Sequence, residues 1–298
     1  MKIRMMAATL LVGALALTAC GKEGSPAAGD SAAAALNYPV ATGVALTGST
    51  TFDAITKAGR VTIGVKEDQP GLGFKDATTG ARSGFDIEIA KMVAAGLGVG
   101  ADKIDYKAVP SAAREDTISR GEVNYYVGTY TINDNRKKLV SFAGPYFVAG
   151  QGLLVRKDET AITNKDTLKG KKVCSVTGST PIKRVKDQNL TEAANIIEFQ
   201  TYSQCVDQLL SKQVDAVTTD DAILKGYAAQ QPDQLKLVGD AFSSEPYGIG
   251  LNKDDSVLRN KIDDLLQASF DNGTWKKIYD ATLGKSGSAA TPPALQRY

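Results

Sequence analysis

The chain contains no histidine among its 298 residues. Imidazole-based nucleophilic triads, metal sites and general bases are therefore excluded. Carboxylates are plentiful, with 33 Asp plus Glu, but no pair is set apart for acid–base work. Gly96-Leu97-Gly98-Val99-Gly100 ends a helix pattern instead of following a strand, so it lacks the setting of a dinucleotide loop. Gly170-Lys171-Lys172 has neither the following Ser or Thr nor the upstream glycine of a P-loop, and CxxC and GxSxG are absent. No cofactor and no catalytic residue is expected. What remains is the chemistry of charge recognition. Arg136 offers a planar fork that can bind a carboxylate through two parallel bonds, although Arg136-Lys137-Lys138 also reads as a solvated basic run. Gly178-Ser179-Thr180 is a short turn opening a helix, where free N–H groups attract anions; an ordinary Thr cap fits it as well. Lys66 follows a β-rich run. Asp220 stands between a strand and a helix, with Asp221 a rival for any role it has.

The N-terminus carries an address. Lys2 and Arg4 precede Met5 to Leu17, a mostly apolar stretch too short for a transmembrane helix and suited to the core of an export signal. Leu17-Thr18-Ala19-Cys20 resembles a lipobox, in which the cysteine becomes the lipidated first residue of the mature chain. Residues 1–19 are accordingly expected to be a lipoprotein signal peptide. Residues 20–50, rich in Ala, Gly, Ser and Thr, read as a lipidated flexible tether, and residues 285–298 as a disordered tail. The expected location is the extracytoplasmic face of the cell membrane, held by the lipid on Cys20. Beyond the signal, 33 basic residues balance 33 acidic ones. A neutral balance argues against a nucleic-acid partner. Cys174 and Cys205 remain as an even pair in an exported chain, which permits a disulfide; two buried thiols are the alternative.

The elements that must position these residues alternate. Val61 to Val65 reads as a strand, and Gly84-Phe85-Asp86 opens a helix that Gly96 stops. Strands follow at Ile104 to Val109, Val123 to Val127 and Gln151 to Arg156, with a short helix at Arg114 to Arg120. A second cycle begins at the strand Lys172 to Val176 and a helix in which Thr180 caps and Pro181 takes the first position. Strands Ile196 to Phe199, Ala216 to Thr219 and Leu235 to Val238 alternate with helices Ser203 to Ser211 and Asp221 to Gln230. A late strand, Tyr247 to Leu251, precedes helices Ser256 to Asp271 and Thr274 to Leu283. Such an order implies two α/β units with mostly parallel sheets. Ligands bind at the carboxyl ends of such strands and between domains.

Several segments, in order, resemble the extracellular solute-binding proteins of family 3, the amino-acid receptors of ABC importers, and among them the glutamate binders. They are Val61-Thr62-Ile63-Gly64-Val65-Lys66 with Gln69-Pro70-Gly71-Leu72-Gly73-Phe74, then Gly84-Phe85-Asp86-Ile87-Glu88-Ile89-Ala90, and Gly128-Thr129-Tyr130-Thr131-Ile132-Asn133-Asp134-Asn135-Arg136. Phe142-Ala143-Gly144-Pro145-Tyr146, Tyr247-Gly248-Ile249-Gly250-Leu251 and Asn272-Gly273-Thr274-Trp275-Lys276-Lys277-Ile278-Tyr279 complete the set. The resemblance implies a type II periplasmic-binding-protein-like fold, with two α/β lobes joined by two hinge strands. The lobes would be residues 51–150 with 245–284, and residues 151–244.

The same resemblance implies a site. Arg136 would hold an α-carboxylate, aided by Thr131 and by Gly178, Ser179 and Thr180. The Thr129 carbonyl and Asp220 would receive an α-ammonium. Lys66 and Arg114 would take an acidic side chain, and Tyr130 or Phe74 would form an aromatic wall. The expected ligand is L-glutamate or a related amino acid, and the expected partners are an ABC permease and its ATPase, the receptor itself being a monomer and not an enzyme. Two departures from the family pattern bear on the ligand. Asn124 stands where an aspartate is usual. Glu67, where an aromatic is common, could neutralise Lys66 or select a basic amino acid.

Overall fold

In the computed structural model, residues 36–286 and 290–298 are described. The signal, Cys20 and the first part of the expected tether lie outside them. The chain first forms α1 (Thr50–Ala58), β1 (Val61–Val65), the short strands β2 (Asp68–Gln69), β3 (Gly73–Lys75) and β4 (Arg82–Ser83), α2 (Phe85–Gly96) and β5 (Ile104–Ala108). Then come α3 (Arg114–Ser119), β6 (Tyr125–Tyr126), α4 (Asp134–Lys137) and β7 (Ser141–Ala149). The second lobe holds β8 (Gln151–Arg156), β9 (Val173–Val176), α5 (Thr180–Asp187), β10 (Ile196–Phe199), α6 (Tyr202–Leu210), β11 (Ala216–Asp220), α7 (Asp221–Gln230) and β12 (Leu235–Val238). The chain returns through β13 (Glu245–Leu251) to α8 (Ser256–Asp271) and α9 (Thr274–Ala281).

Each lobe is built on a five-stranded sheet, in the orders β5-β1-β6-β13-β7 and β10-β9-β11-β8-β12. Both sheets are more mixed than the alternating pattern implies. β5, β1 and β6 are parallel, as are β10, β9 and β11, but β13 and β7 in one sheet and β8 and β12 in the other add antiparallel pairings. The cause is the double crossing. β8 enters the second lobe, and β13 the first, running against the parallel strands already there. The two crossings lie side by side, Phe242 N–H donating to Gln151 O at 2.9 Å and Gln151 N–H to Ser243 Oγ at 2.9 Å.

β1 is β-branched and almost wholly buried, and α2 is apolar nearly all round because it lies under α8 and α9. An aromatic nest closes this side. Phe85 meets Trp275 edge-on at 5.7 Å, Trp275 stacks on Tyr279 at 5.4 Å, and the indole N–H donates to Tyr146 O at 2.7 Å. Cys174 and Cys205 form a disulfide between β9 and α6; the alternative of two thiols falls.

The two terminal segments depart from the sequence reading. Residues 36–49 are packed rather than a loose tether: Leu36, Tyr38, Val44 and Leu46 lie against the core, Tyr38 donates to Glu88 at 2.9 Å, and Ser49 both caps α1 and donates to Asp255 at 2.7 Å. Residues 290–298 are also held rather than loose. Ala290 and Leu295 pack on the core, Arg297 pairs with Asp264 at 2.7 Å, and Tyr298 Oη accepts from Phe142 N–H at 2.8 Å between the cations of Lys137 and Arg259. Small-residue composition concealed a few apolar side chains at each end, enough to hold these largely exposed segments against the fold once a surface is present.

Candidate functional site

Loops at the carboxyl ends of β1, β6, β9 and β11 converge between the lobes. Ser111, Arg114, Thr129 and Thr131 of the first lobe face Ser179, Thr180, Pro181, Tyr202 and Asp220 of the second around a narrow cleft, nearly filled by their side chains, with a cavity of about 10 Å³. Six of the ten residues singled out as ligand contacts line it. Lys66 lies one side chain away, donating to Ser111 Oγ at 2.9 Å. Arg136, Tyr130 and Gly178 are not lining residues either, although Arg136 bonds to the lining Thr131, and Phe74 lies off the cleft on β3.

Three cations gather at the first-lobe wall. Lys66 is buried and its ammonium is pushed down to about 7, by burial first and then by the neighbouring Arg114. Arg114 opens α3 and donates to the carbonyls of Ser111 at 3.2 Å and Thr129 at 3.4 Å. Arg136 sits in α4, capped by Asn133, and donates to Thr131 O at 2.8 Å and, across the cleft, to Gly178 O at 3.2 Å. Its guanidinium is pushed down to about 10 by burial and then by Arg114, with Glu115 a partial counter-charge at 3.2 Å. Tyr130 lies beneath both arginines, its ring centre 4.3 Å from one guanidinium and 4.8 Å from the other. Tyr130, expected as a ligand wall, forms a cation–π platform that lets two like charges share one side of the cleft.

Thr129 has φ +47, in the left-handed region where a β-branched residue is strained. Buried groups hold it there: its N–H donates to Asp86 at 3.0 Å and its hydroxyl to Gln69 at 3.1 Å. Asp86 also accepts from Tyr146 at 2.8 Å, and burial pushes its carboxyl up to about 6. The Thr129 carbonyl, expected to face an ammonium, already accepts from Arg114.

On the second lobe, Ser179 caps α5 and Thr180 is its first residue, one position from the sequence reading of Thr180 as cap. Gly178 has φ +78 and lies against Ala112 of the other lobe; a Cβ there would be 2.7 Å from Ala112 Cα. Thr180 donates to Glu245 at 2.8 Å and lies 3.4 Å from the Thr131 hydroxyl. Asp220 ends β11. Tyr247 donates to its Oδ2 at 2.7 Å, whereas its buried Oδ1 has no hydrogen-bond partner among the described residues. Burial, then Glu245, pushes this carboxyl up to about 7. The rival Asp221 turns to the hinge, accepting from Gly150 N–H at 3.1 Å and pairing with Lys225.

The two departures are structural. Glu67 is engaged by Arg82 and lies 3.9 Å from Lys75, away from the cleft. Asn124 accepts from Thr62 N–H at 2.7 Å beside β1. Ser111, Tyr202 and Pro181 were not singled out as site residues, nor were the supports Asp86 and Glu245. Only the position of Ser111 between Pro110 and a short helix carries a sequence hint; the others read as ordinary core or cap residues.

The sequence pattern of the bacterial extracellular solute-binding proteins, family 3, matches residues 61–285. The chain belongs to that family. A glutamate-binding protein, GluB, of Corynebacterium efficiens is 38% identical over 269 residues, 85% of this chain and 90% of the relative. A glutamine-binding protein of Geobacillus stearothermophilus is 40% identical over 207 residues, 70% of this chain and 78% of the relative. An ancestral arginine-binding protein bound to arginine superposes with TM-score 0.70 at 36% identity, over 75% of this chain and 98% of that one. This family-3 protein therefore shares the fold of amino-acid receptors, and its relatives are solute-binding proteins. The named ligands of these three differ in side-chain charge.

Proposed function

We propose that the chain is the extracytoplasmic receptor of an ABC importer for L-glutamate, which it would bind between the lobes and pass to the permease. One observation carries this reading: Arg114 and the carboxylate of Asp220 line one cleft, with Lys66 and Arg136 directly behind it on the lining residues Ser111 and Thr131. Glutamate carries two carboxylates and one ammonium. Its α-carboxylate fits Arg136, Thr131 and the amino end of α5. Its ammonium fits the unpartnered Oδ1 of Asp220. Its side-chain carboxylate fits Lys66 and Arg114. Glutamine would leave those two buried cations without an anion, and arginine would add a cation to them, both costly. Glu67, the one residue that suggested a basic ligand, is occupied by Arg82.

Aspartate is expected to bind more weakly, because its shorter side chain stops short of Lys66. Acylation of Cys20 would keep the receptor near its permease, and two or three acyl chains are needed for a firm anchor. Calorimetric titration with L-glutamate, L-aspartate, L-glutamine and L-arginine tests the reading, with recovery of unchanged ligand excluding turnover. Tighter binding of glutamine or arginine than of glutamate would overturn the assignment of the side-chain end.

A further inference from the structure

We infer that Asp68 and the Pro70 turn form a latch on the closed cleft, separate from the ligand pocket, which sets how long a bound ligand stays. The inference rests on the ligand-binding reading above but on different residues. Asp68 lies on β2 of the first lobe. Its Oδ2 accepts from Tyr202 N–H at 2.8 Å and from Ser203 N–H at 3.4 Å, the first two amides of α6 in the second lobe. The third amide, of Gln204, is served within α6 by Thr201 Oγ1. Helix N-terminal amides need acceptors, and the aligned peptide dipoles favour a negative one. Here one lobe supplies the acceptor for the other, so the contact exists only while the lobes are together.

The grip is double. The Asp68 carbonyl accepts from the Tyr227 hydroxyl on α7. Two residues on, Pro70 lies against Gly226 of the same helix, where a Cβ would be 2.2 Å from Pro70 O. Gly226 stands in the middle of a ten-residue helix, a place where glycine is poorly suited on helix propensity alone. Close approach of the other lobe accounts for it. Asp68, Pro70, Gly226 and Tyr227 line no part of the ligand cleft. Tyr202 joins the two sites, since it lines the cleft while its backbone N–H donates to Asp68. The disulfide from Cys205 to β9 holds α6 to its own sheet, so a pull on the helix end is carried to the whole second lobe. Asp68 is thus a positioning residue: it touches no ligand and acts by holding α6 against the first lobe.

The test uses the full chain with Asp68→Ala, Asp68→Asn and Gly226→Ala. Dissociation of radiolabelled L-glutamate is followed after dilution, and the radius of gyration is measured by X-ray scattering without ligand. Loss of a helix-capping oxygen shifts an equilibrium by about fivefold, so Asp68→Ala is expected to release glutamate about that much faster at a nearly unchanged association rate. Asn keeps an oxygen at the same place and is expected to restore most of the difference. Gly226→Ala is expected to bind weakly and to scatter as a wider particle. It should nevertheless melt no lower than the parent without ligand, since alanine favours the helix. Parental release from Asp68→Ala, an Asn variant as fast as Ala, or normal binding by Gly226→Ala would each overturn the latch. If the parent binds none of the four amino acids, the functional reading fails instead, and scattering still decides: equal radii for all four chains overturn the latch, and wider variants support it.

Discussion

Replacing Asp220 with Asn separates the two roles the structure gives that side chain. The Asn oxygen can still accept from Tyr247, so the 2.7 Å bond is kept while the charge is lost. Asp220 titrates at about 7 in the folded chain against an ordinary 3.8, chiefly through burial and then Glu245. A folded pKa above the unfolded one means that the folded chain holds the proton more tightly. The associated stability is complete below the unfolded pKa and is lost as the pH rises through about 7. The shift of roughly three units corresponds to a cost on the order of 4 kcal/mol for the ionised form in the empty cleft. Asn removes that cost. For a chain of this size each kcal/mol moves the melting temperature by about 2–4 °C, so the variant should melt roughly 10 °C above the parent near pH 8.5 and only about 3–6 °C above it near pH 5, where about 1.6 kcal/mol of the cost applies. With glutamate present the order reverses. The ammonium loses its charged acceptor in a desolvated site, a loss of about 2–5 kcal/mol, so affinity should fall at least about 30-fold. Scanning calorimetry at the two pH values, with and without ligand, reads both effects. An equal gain at both pH values would refute the ionisation argument. Binding within about threefold of the parent would refute the ammonium assignment, since the pairing energy would then be under about 1 kcal/mol.

Arg114→Ala should weaken glutamate binding by a comparable 2–5 kcal/mol, while glutamine, which gains nothing from that charge, loses less; the ratio of the two dissociation constants from titration checks this. Ligand affinity should be greatest near pH 7. Protonation of Asp220 below about 7 removes the acceptor for the ammonium, and loss of the Lys66 proton above about 7 removes a partner of the side-chain carboxylate. Lys66→Met should abolish the alkaline arm of a titration series and Asp220→Asn the acid arm. Reduction of the Cys174–Cys205 bridge removes a constraint on the unfolded chain worth roughly 3.7 kcal/mol in the loop-entropy model, seen as a lower denaturant midpoint in reductant. Tyr298→Ala takes away a ring held between two cations and the acceptor for Phe142 N–H; about 1 kcal/mol at such a site should lower melting by about 2–4 °C.

Much of the fold is legible because it is written locally. β8, α7, β12 and α8 fall where alternation, apolar spacing and capping residues place them, since each answers to neighbours a few positions away. Two losses are instructive. α1 carries a Ser49 cap and a left-handed Gly59, yet the sequence reading assigns no element between the tether and β1. β7 contains Pro145, which demotes a strand in sequence; it is tolerated because β7 lies at the edge of its sheet. The termini were misread for a related reason, composition being a poor guide when a few apolar residues find a prepared surface.

The sequence by itself determined most of the element order and the two α/β units, while the candidate site residues, such as Arg136 five positions after Thr131, the turn before α5 and Asp220 at a strand end, stood out through the family resemblance. Only the tertiary structure decided which charges face one another. It turned Glu67 to Arg82 and Asp221 to the hinge, left Oδ1 of Asp220 without a hydrogen-bond partner among the described residues, and put Tyr130 under two arginines. It also brought Asp68 to an α6 amide 134 positions away. Periodicity and caps act over a turn or a strand, whereas the free energy of a buried charge depends on whatever surrounds it, and in this chain those surroundings come from two lobes that meet only when the cleft is closed.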